Sequence, residues 1–166
     1  MSQNFASLRF LIADDNAFTL KLIVEILKAL GIPSDHLYTA SNGRSAMEIL
    51  ETLPIDIVIT DALMEPVDGL RLTKAIRTSP DKPYRHIPII LCTAYSESYR
   101  VVKARDAGVT EVVVKPLSVQ TLYDRIYNVV NNPRSFVHVD GFDGPDRRRK
   151  FEEFDEEKRS NDYDLD

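Results

Sequence analysis

Five polar residues of the chain could do chemistry together: Asp14, Asp15, Asp61, Thr93 and Lys115. Each ends or follows a short apolar run that predicts a β-strand, and the carboxyl ends of parallel strands meet at one edge of a sheet. Three carboxylates gathered there repel one another unless a cation joins them, and Mg²⁺ prefers oxygen ligands. A carboxylate is also a competent nucleophile toward a phosphoryl group, whose oxygens lysine and threonine side chains can bind.

Taken singly, these residues have simpler interpretations. An Asp-Asp pair before a helix is usually a cap, and an Asp, Thr or Lys at a strand end is usually a turn residue. The combination favours a site, because all five residue types fall at the ends of predicted strands. Asp15 and Asp61 are then expected as direct Mg²⁺ ligands, with Asp14 holding a metal-bound water and Mn²⁺ as the alternative ion.

The elements that must position these residues follow from hydrophobic periodicity. Apolar, partly β-branched runs predict strands over 8–13, 36–40, 55–60, 87–92 and 109–114. Segments with apolar residues at helical spacing separate them, so five strands alternate with five helices. This alternation predicts an α/β fold with right-handed crossovers, a doubly wound five-stranded parallel sheet in the flavodoxin-like order 2-1-3-4-5.

Composition limits the classes of function. The 166 residues are 43% hydrophobic with a net charge of −5, which suits one domain with a real core and argues against a nucleic-acid binder. A single cysteine gives no internal disulfide, and the sequence shows neither a secretory signal nor an apolar run that could span a membrane. We expect a cytoplasmic protein that binds neither nucleic acid nor membrane.

The chain divides near Asn131. Residues 1–130 carry the alternating pattern and are predicted to form one domain. Residues 131–166 contain seven basic and eleven acidic residues and few large apolar ones. This composition predicts a charged, largely disordered tail. No helix-turn-helix or other output module is apparent after residue 130, so protein–protein contact is the expected output.

Several of these motifs together resemble the receiver domains of bacterial response regulators. The resemblance covers about residues 7–130 and rests on Asp14-Asp15, on the stretch from Asp61 through Met64 and Asp68 to Gly69, and on Thr93-Ala94 and Lys115-Pro116. It implies a stand-alone receiver of the chemotaxis-regulator kind. One tail segment, 133–149, is similar to a segment of alphaproteobacterial stand-alone receivers.

The resemblance implies a role for each site residue. Asp61 would accept a phosphoryl group, and Asp14, Asp15, Asp61 and the main-chain carbonyl of Leu63 would bind Mg²⁺. Thr93 and Lys115 would sense the phosphoryl group, and the Lys115–Pro116 peptide would be cis. The donor would be a histidine kinase or a histidine phosphotransferase, docked partly on the first helix around Ala17 and Phe18. A downstream protein would be the target, and the receiver would be a monomer or a phosphorylation-dependent dimer.

Three departures from the family pattern change these expectations. Glu65 follows Met64, at a position where the family usually has proline. The Glu65 side chain either adds a carboxylate near the predicted metal or is only an exposed loop residue. Val112 stands where many receivers have a switching aromatic residue. Leu63 and Tyr95 occupy positions that tune dephosphorylation, and neither side chain can orient water through a carboxylate or amide. We therefore expect slow hydrolysis and no catalysis beyond the protein's own phosphoryl transfer.

Rival interpretations come from other classes of protein. A haloacid-dehalogenase-type phosphatase would need an acid two residues after the nucleophile, where this chain has Leu63. A dinucleotide-binding domain would need a glycine-rich turn after the first strand, where Ala13-Asp14-Asp15-Asn16 stands. A pseudo-receiver, which would be an interaction module without phosphorylation, stays open as the alternative.

Overall fold

The computed structural model describes residues 4–94, 98–139 and 142–146. Within them, five strands and five helices alternate through residue 131. The strands are β1 (Phe10–Ala13), β2 (Leu37–Ala40), β3 (Ile57–Asp61), β4 (Ile89–Thr93) and β5 (Glu111–Val114). The helices are α1 (Ala17–Ala29), α2 (Gly43–Thr52), α3 (Gly69–Arg77), α4 (Ser98–Ala107) and α5 (Val119–Asn131), and a short 3₁₀ turn, Ser34–His36, precedes β2.

The five strands form a parallel sheet in the order β2-β1-β3-β4-β5, which confirms the predicted fold. Its register aligns the carboxyl ends of the central strands. Ala13 lies opposite Thr60, Asp61 opposite Cys92, and Thr93 opposite Val114. The residues that follow or end these strands therefore lie at one edge of the sheet.

Alternating side chains of each strand face opposite layers of helices. Phe10 and Ile12 belong to the core beneath α1 and α5, whereas Leu11 and Ala13 belong to the core beneath α2, α3 and α4. All four are essentially inaccessible to solvent. Burial on both faces explains why these strands are continuously apolar, as is usual in a doubly wound sheet.

Side-chain caps fix where the helices begin. The Asn16 Oδ1 atom accepts hydrogen bonds from the N–H groups of Phe18 and Thr19, which starts α1 directly beside the end of β1. Ser118 and Thr121 form a reciprocal capping box at the start of α5. The longest helices, α1 and α5, have 13 residues each, and no helix in the described ranges is long and apolar enough to cross a membrane.

The structure corrects the prediction for the segment after residue 130. Two strands, β6 (Phe136–Val139) and β7 (Phe142–Pro145), pair antiparallel instead of being disordered. This hairpin packs against the end of α4 and against buried side chains of the first five strands and helices, such as Arg77. A sequence pattern does not reveal such tertiary contacts. Residues 147–166, the most charged part of the predicted tail, lie outside the described residues.

Candidate functional site

The predicted site residues lie together at the carboxyl ends of the central strands. Asp14 follows β1, and its N–H donates to the carbonyl of Ala40 at 3.1 Å. Asp61 and Thr93 are the last residues of β3 and β4. Lys115 follows β5, and its N–H donates to the Thr93 carbonyl at 2.7 Å. Backbone hydrogen bonds of the sheet thus set the place of each side chain.

Three carboxylates form the centre of this site. Asp14, Asp15 and Asp61 each offer an oxygen, and these oxygens lie within 4.8 Å of one another. Asp14 is 1% exposed, Asp61 is half-buried and Asp15 is exposed. The Asp14 Oδ1 atom accepts from the Asn16 N–H at 2.8 Å, but its buried Oδ2 atom has no hydrogen-bond partner within the described residues. A cluster of hard oxygen ligands with one orphaned buried atom fits a Mg²⁺ ion.

Lys115 is the positive charge of the cluster. Its Nζ atom lies 2.9 Å from the Asp61 Oδ1 atom and 3.7 Å from the Asp14 Oδ2 atom. Partial burial acts to lower the pKa of Lys115, but the hydrogen bond and charge of Asp61, together with the charge of Asp14, outweigh it and raise the pKa. Lys115 is therefore firmly protonated beside Asp61, where a phosphoryl group on that residue would need a counter-charge.

Burial dominates the electrostatics of Asp14. Loss of solvation raises the pKa of this carboxyl above its ordinary value, and the negative charges of Asp61 and Asp15 act in the same direction. The hydrogen bond from the Asn16 N–H and the charge of Lys115 oppose the rise without cancelling it. The free protein consequently holds an under-compensated negative charge at this position.

The loop after β3 is shaped by two glycines that lie close to other backbone. A Cβ on Gly69 would collide with the Asp61 carbonyl oxygen, and one on Gly43 would lie 2.8 Å from the Val67 carbonyl oxygen. The Gly69 N–H donates to Ala62 and the Gly43 N–H donates to Val67. The loop is thereby held against the end of β3, which orients Asp61.

Within this loop, the side chains divide by exposure. Met64 is buried, whereas Leu63 is 58% exposed. Glu65 is exposed and is not part of the acidic cluster found among the described residues, as its interpretation as a loop residue predicts. The Glu65–Pro66 peptide is cis, and Asp68 ends the loop by capping α3 through the Arg71 N–H at 2.8 Å.

The structure places the remaining predicted residues as follows. Thr93 is 6% exposed at the end of β4, and the Lys115–Pro116 peptide is cis. Val112 is partly buried against the core beneath α2, α3 and α4. Tyr95, predicted to tune hydrolysis, lies outside the described residues.

Sequence reasoning missed two contacts that position the site. Thr60 donates its hydroxyl hydrogen to the Asp61 carbonyl at 3.0 Å, and the Asn16 N–H donates to Asp14 at 2.8 Å. Asn16 is recognisable in the sequence as a residue that suits the start of a helix, and it does cap α1, but its contact with Asp14 is through the backbone and has no sequence signal. Nothing in the sequence marks Thr60, because a buried β-branched residue fits any parallel strand.

Cys92 lies next to Asp61 in the sheet register, on the neighbouring strand. It is completely buried, and loss of solvation raises the pKa of its thiol to about 12. The thiol is therefore protonated at neutral pH and acts as a small apolar side chain in the core beneath α1 and α5.

Comparison with known proteins gives a match over most of this chain. The family described as "Response regulator receiver domain" matches residues 10–127. These residues include all five strands of the sheet and every residue of the acidic cluster.

Individual relatives agree with this match. The chain is 30% identical over 122 residues to the chemotaxis protein CheY of Pseudomonas aeruginosa, covering 74% of this chain and 95% of the relative. It is 29% identical over 120 residues to CheY-3 of Vibrio cholerae, covering 72% and 89%. Among solved structures, CheY4 of Vibrio cholerae is similar with a TM-score of 0.67 at 24% identity, covering 74% of this chain and 98% of that one, which supports the fold.

Proposed function

Because the chain belongs to the response regulator receiver domain family, we propose that it is a switch controlled by Mg²⁺-dependent phosphorylation of Asp61. The observation that carries the proposal is the position of Lys115, whose Nζ atom lies 2.9 Å from an Asp61 oxygen inside a cluster of three carboxylates. The carboxylate proposed as the nucleophile, a positive charge and oxygens that could hold a cation thus lie at one edge of the sheet. The likeness to chemotaxis regulators supports a role in two-component signalling.

Each side chain has a distinct part in the proposed reaction. An Asp61 carboxylate oxygen attacks the phosphorus of the donor, the new O–P bond forms, and the bond to the leaving group breaks with its electron pair going to that group. Lys115 exchanges its contact with Asp61 for the phosphoryl oxygens, and the Thr93 hydroxyl binds another of them. Mg²⁺ held by Asp14, Asp15, Asp61 and the Leu63 carbonyl would supply charge neutralisation.

The partners follow from the chemistry. A phosphohistidine of a kinase or phosphotransferase is the proposed donor, because CheY-like receivers interact with histidine kinases and with downstream targets. The output is a change in affinity for a target protein, in the cytoplasm, with no reaction on any other substrate. Phosphate loss is proposed to be slow, since the exposed Leu63 side chain cannot orient water.

The test is the mass of the intact protein after incubation with acetyl phosphate. We expect one added phosphoryl group in the wild type with Mg²⁺, and none with a chelator or in Asp61→Asn. Asp68→Asn is the matched control, because it makes the same substitution in the same loop, and asparagine still caps α3. This control should gain the phosphoryl group as the wild type does.

The outcomes separate the proposal from its alternative. No added mass in the wild type, from acetyl phosphate and from a phosphorylated histidine donor alike, would leave the pseudo-receiver interpretation. Added mass in Asp61→Asn would mean that another residue is the acceptor.

A further inference from the structure

The β6–β7 hairpin is bound to the rest of the molecule through an aromatic contact. The Phe136 ring stacks on the His86 ring, with centroids 4.1 Å apart and an interplanar angle of 18°. The Arg77 guanidinium lies over the same ring, 4.9 Å from its centroid. Arg77 is 1% exposed, and it donates hydrogen bonds to three neutral oxygens, the carbonyls of Gly108 and Arg85 and the Thr110 hydroxyl. A ring face is a favourable neighbour for such a buried cation.

The second contact is a close approach of two glycines. Gly108 ends α4 with a φ of +103°, and Gly144 of β7 is buried against it. A Cβ on Gly144 would lie 3.1 Å from the Gly108 Cα atom and 2.9 Å from the Phe142 ring. Neither position tolerates a side chain easily, so the fit between β7 and the end of α4 depends on both glycines.

The third contact is an ion pair with the start of β5. Arg134, just before the hairpin, lies 3.3 Å from Glu111, which also pairs with Arg125 of α5 at 3.4 Å. Glu111 is 6% exposed, so this is a largely buried pair that would be costly to break on one side. We call Arg134 together with β6 and β7 the strap.

The strap contacts the two elements that connect to the phosphoryl-binding residues. β5 begins at Glu111, which pairs with Arg134, and leads to Lys115 at the site. α4 follows the end of β4 and finishes at the strap. Of the α4 side chains described, 101–107, only Ala104 and Ala107 are buried, so this helix is anchored by small residues. It packs against α3 and against β7 of the strap.

We propose that the strap is a regulatory device whose docking opposes phosphorylation of Asp61. The inference rests on the proposed function. The docked strap accompanies the arrangement in which Lys115 is paired with Asp61 and Asp14, which is the unphosphorylated arrangement. A phosphoryl group would draw Lys115 and Thr93 to new positions and shift β5 and α4 beneath the strap. By linkage, a phosphoryl group on Asp61 then weakens the docking of the strap, and an undocked strap favours phosphorylation of Asp61.

The first experiment measures binding of beryllofluoride, a phosphoryl analogue, to the full chain with Mg²⁺. Phe136→Ala, Gly144→Ala and the double variant each weaken strap contacts outside the core and the site. We expect them to bind beryllofluoride about fivefold more tightly, at the lower end of ordinary allosteric coupling. Leu53→Ala, at the end of α2, is the control for losing a partly exposed apolar side chain, and its affinity should be unchanged.

The reciprocal experiment measures amide hydrogen exchange of residues 136–139, 142–144 and 146. We expect faster exchange in the variants, and in the wild type when beryllofluoride is bound. Unchanged affinity in variants whose strap amides exchange faster would overturn the proposal, as would a double variant whose strap stays protected. If the wild type binds beryllofluoride and is phosphorylated, these results refute only the regulatory role of the strap and leave the proposed function standing. If it does neither, the proposed function fails and the strap proposal with it.

Discussion

At the scale of single residues, two adjacent carboxylates have opposite environments. Asp14 is almost completely buried at the end of β1, whereas Asp15, the next residue, is exposed. The acidic pair is therefore not made of equivalent ligands. Asp14 carries the cost of desolvation and of its neighbours' negative charge, as its raised pKa records. This arrangement of carboxylates lowers the stability of the protein but allows the site to bind a cation, and such a cost is common at functional sites.

Replacing Asp14 with a neutral residue of the same shape should stabilise the metal-free protein. At pH 7 with a chelator, we expect Asp14→Asn to raise the free energy of unfolding by about 1–2 kcal/mol, the order of an uncompensated buried polar atom. Added Mg²⁺ should stabilise the wild type and have much less effect on the variant, because a ligand stabilises only a form that binds it. Urea denaturation measures both effects.

The stability that Asp14→Asn gains over the wild type should increase as the pH rises. The pKa of Asp14 is raised in the folded protein, so the folded state binds more protons than the unfolded state between the ordinary value of 3.8 and the raised value. The stability of the wild type therefore falls as the pH rises through this interval, and the advantage of Asp14→Asn disappears below it. Asp15→Asn, at an exposed position, is the control with little expected change. A variant no more stable than the wild type at pH 7 would contradict the argument.

Leu63 offers a second prediction at this scale. Its side chain is 58% exposed two residues after Asp61 and carries no group that could orient water. We expect Leu63→Asn to speed loss of the phosphoryl group several-fold, because an amide near the acyl phosphate can position a water molecule. Phosphate release from purified phosphorylated protein measures the rate. Leu63→Met, which changes shape without adding a polar group, should decay as slowly as the wild type.

At the scale of elements, the β3–α3 loop is fixed by close backbone contact. Gly69→Ala should place a Cβ against the Asp61 carbonyl, which is rigid backbone. We expect a loss of at least about 2 kcal/mol of stability, typical of overpacking, and weaker Mg²⁺ binding because Asp61 is displaced. Thermal denaturation and Mg²⁺ titration measure the two effects.

Gly31→Ala is the control for Gly69→Ala. Gly31 has a φ of +92° and nothing within 4 Å of its would-be Cβ, so alanine there meets backbone strain but no collision. We expect it to cost stability, about 1–2 kcal/mol, and to leave Mg²⁺ affinity unchanged. Equal loss of Mg²⁺ affinity in both variants would show that Gly69 acts only through general stability.

The sequence predicts the regular elements well and the hairpin poorly, for a physical reason. Strands such as β3 are buried on both faces, so their apolar runs are visible in the sequence, and the predicted 55–60 differs little from Ile57–Asp61. Both strands of the hairpin have only four residues, β7 contains glycine and proline, and the docking of β6 depends on Phe136 reaching Arg77. The Asp140-Gly141 pair between apolar residues is nevertheless a hairpin signal in the sequence. The burial of Arg77, a basic residue of an amphipathic helix, could not be foreseen.

At the scale of the whole molecule, the parallel sheet separates two kinds of contact. The carboxyl ends of its strands carry the carboxylates and Lys115, and the amino end of β5 carries Glu111 and the strap contact. The central strands β1 and β4 are buried along their whole length between the helix layers, and β3 is buried up to Asp61. Communication between the two ends therefore has to use a shift of a strand or of a weakly anchored helix such as α4, because packed cores deform in discrete steps.

The surface beside the site should decide which donors are used. Phe18 in the first turn of α1 is 88% exposed, and Leu22, one turn later, is 47% exposed. An exposed Phe contributes little to folding, and aromatic residues often dominate protein interfaces. We expect Phe18→Ala to slow phosphotransfer from a purified phosphohistidine protein about tenfold, equivalent to 1.4 kcal/mol, and to leave phosphorylation by acetyl phosphate unchanged. Val119→Ala, an exposed position on α5, should leave both rates unchanged. Equal slowing with both donors would assign Phe18 to the chemistry of the site, and no slowing with either would place donor docking on another surface.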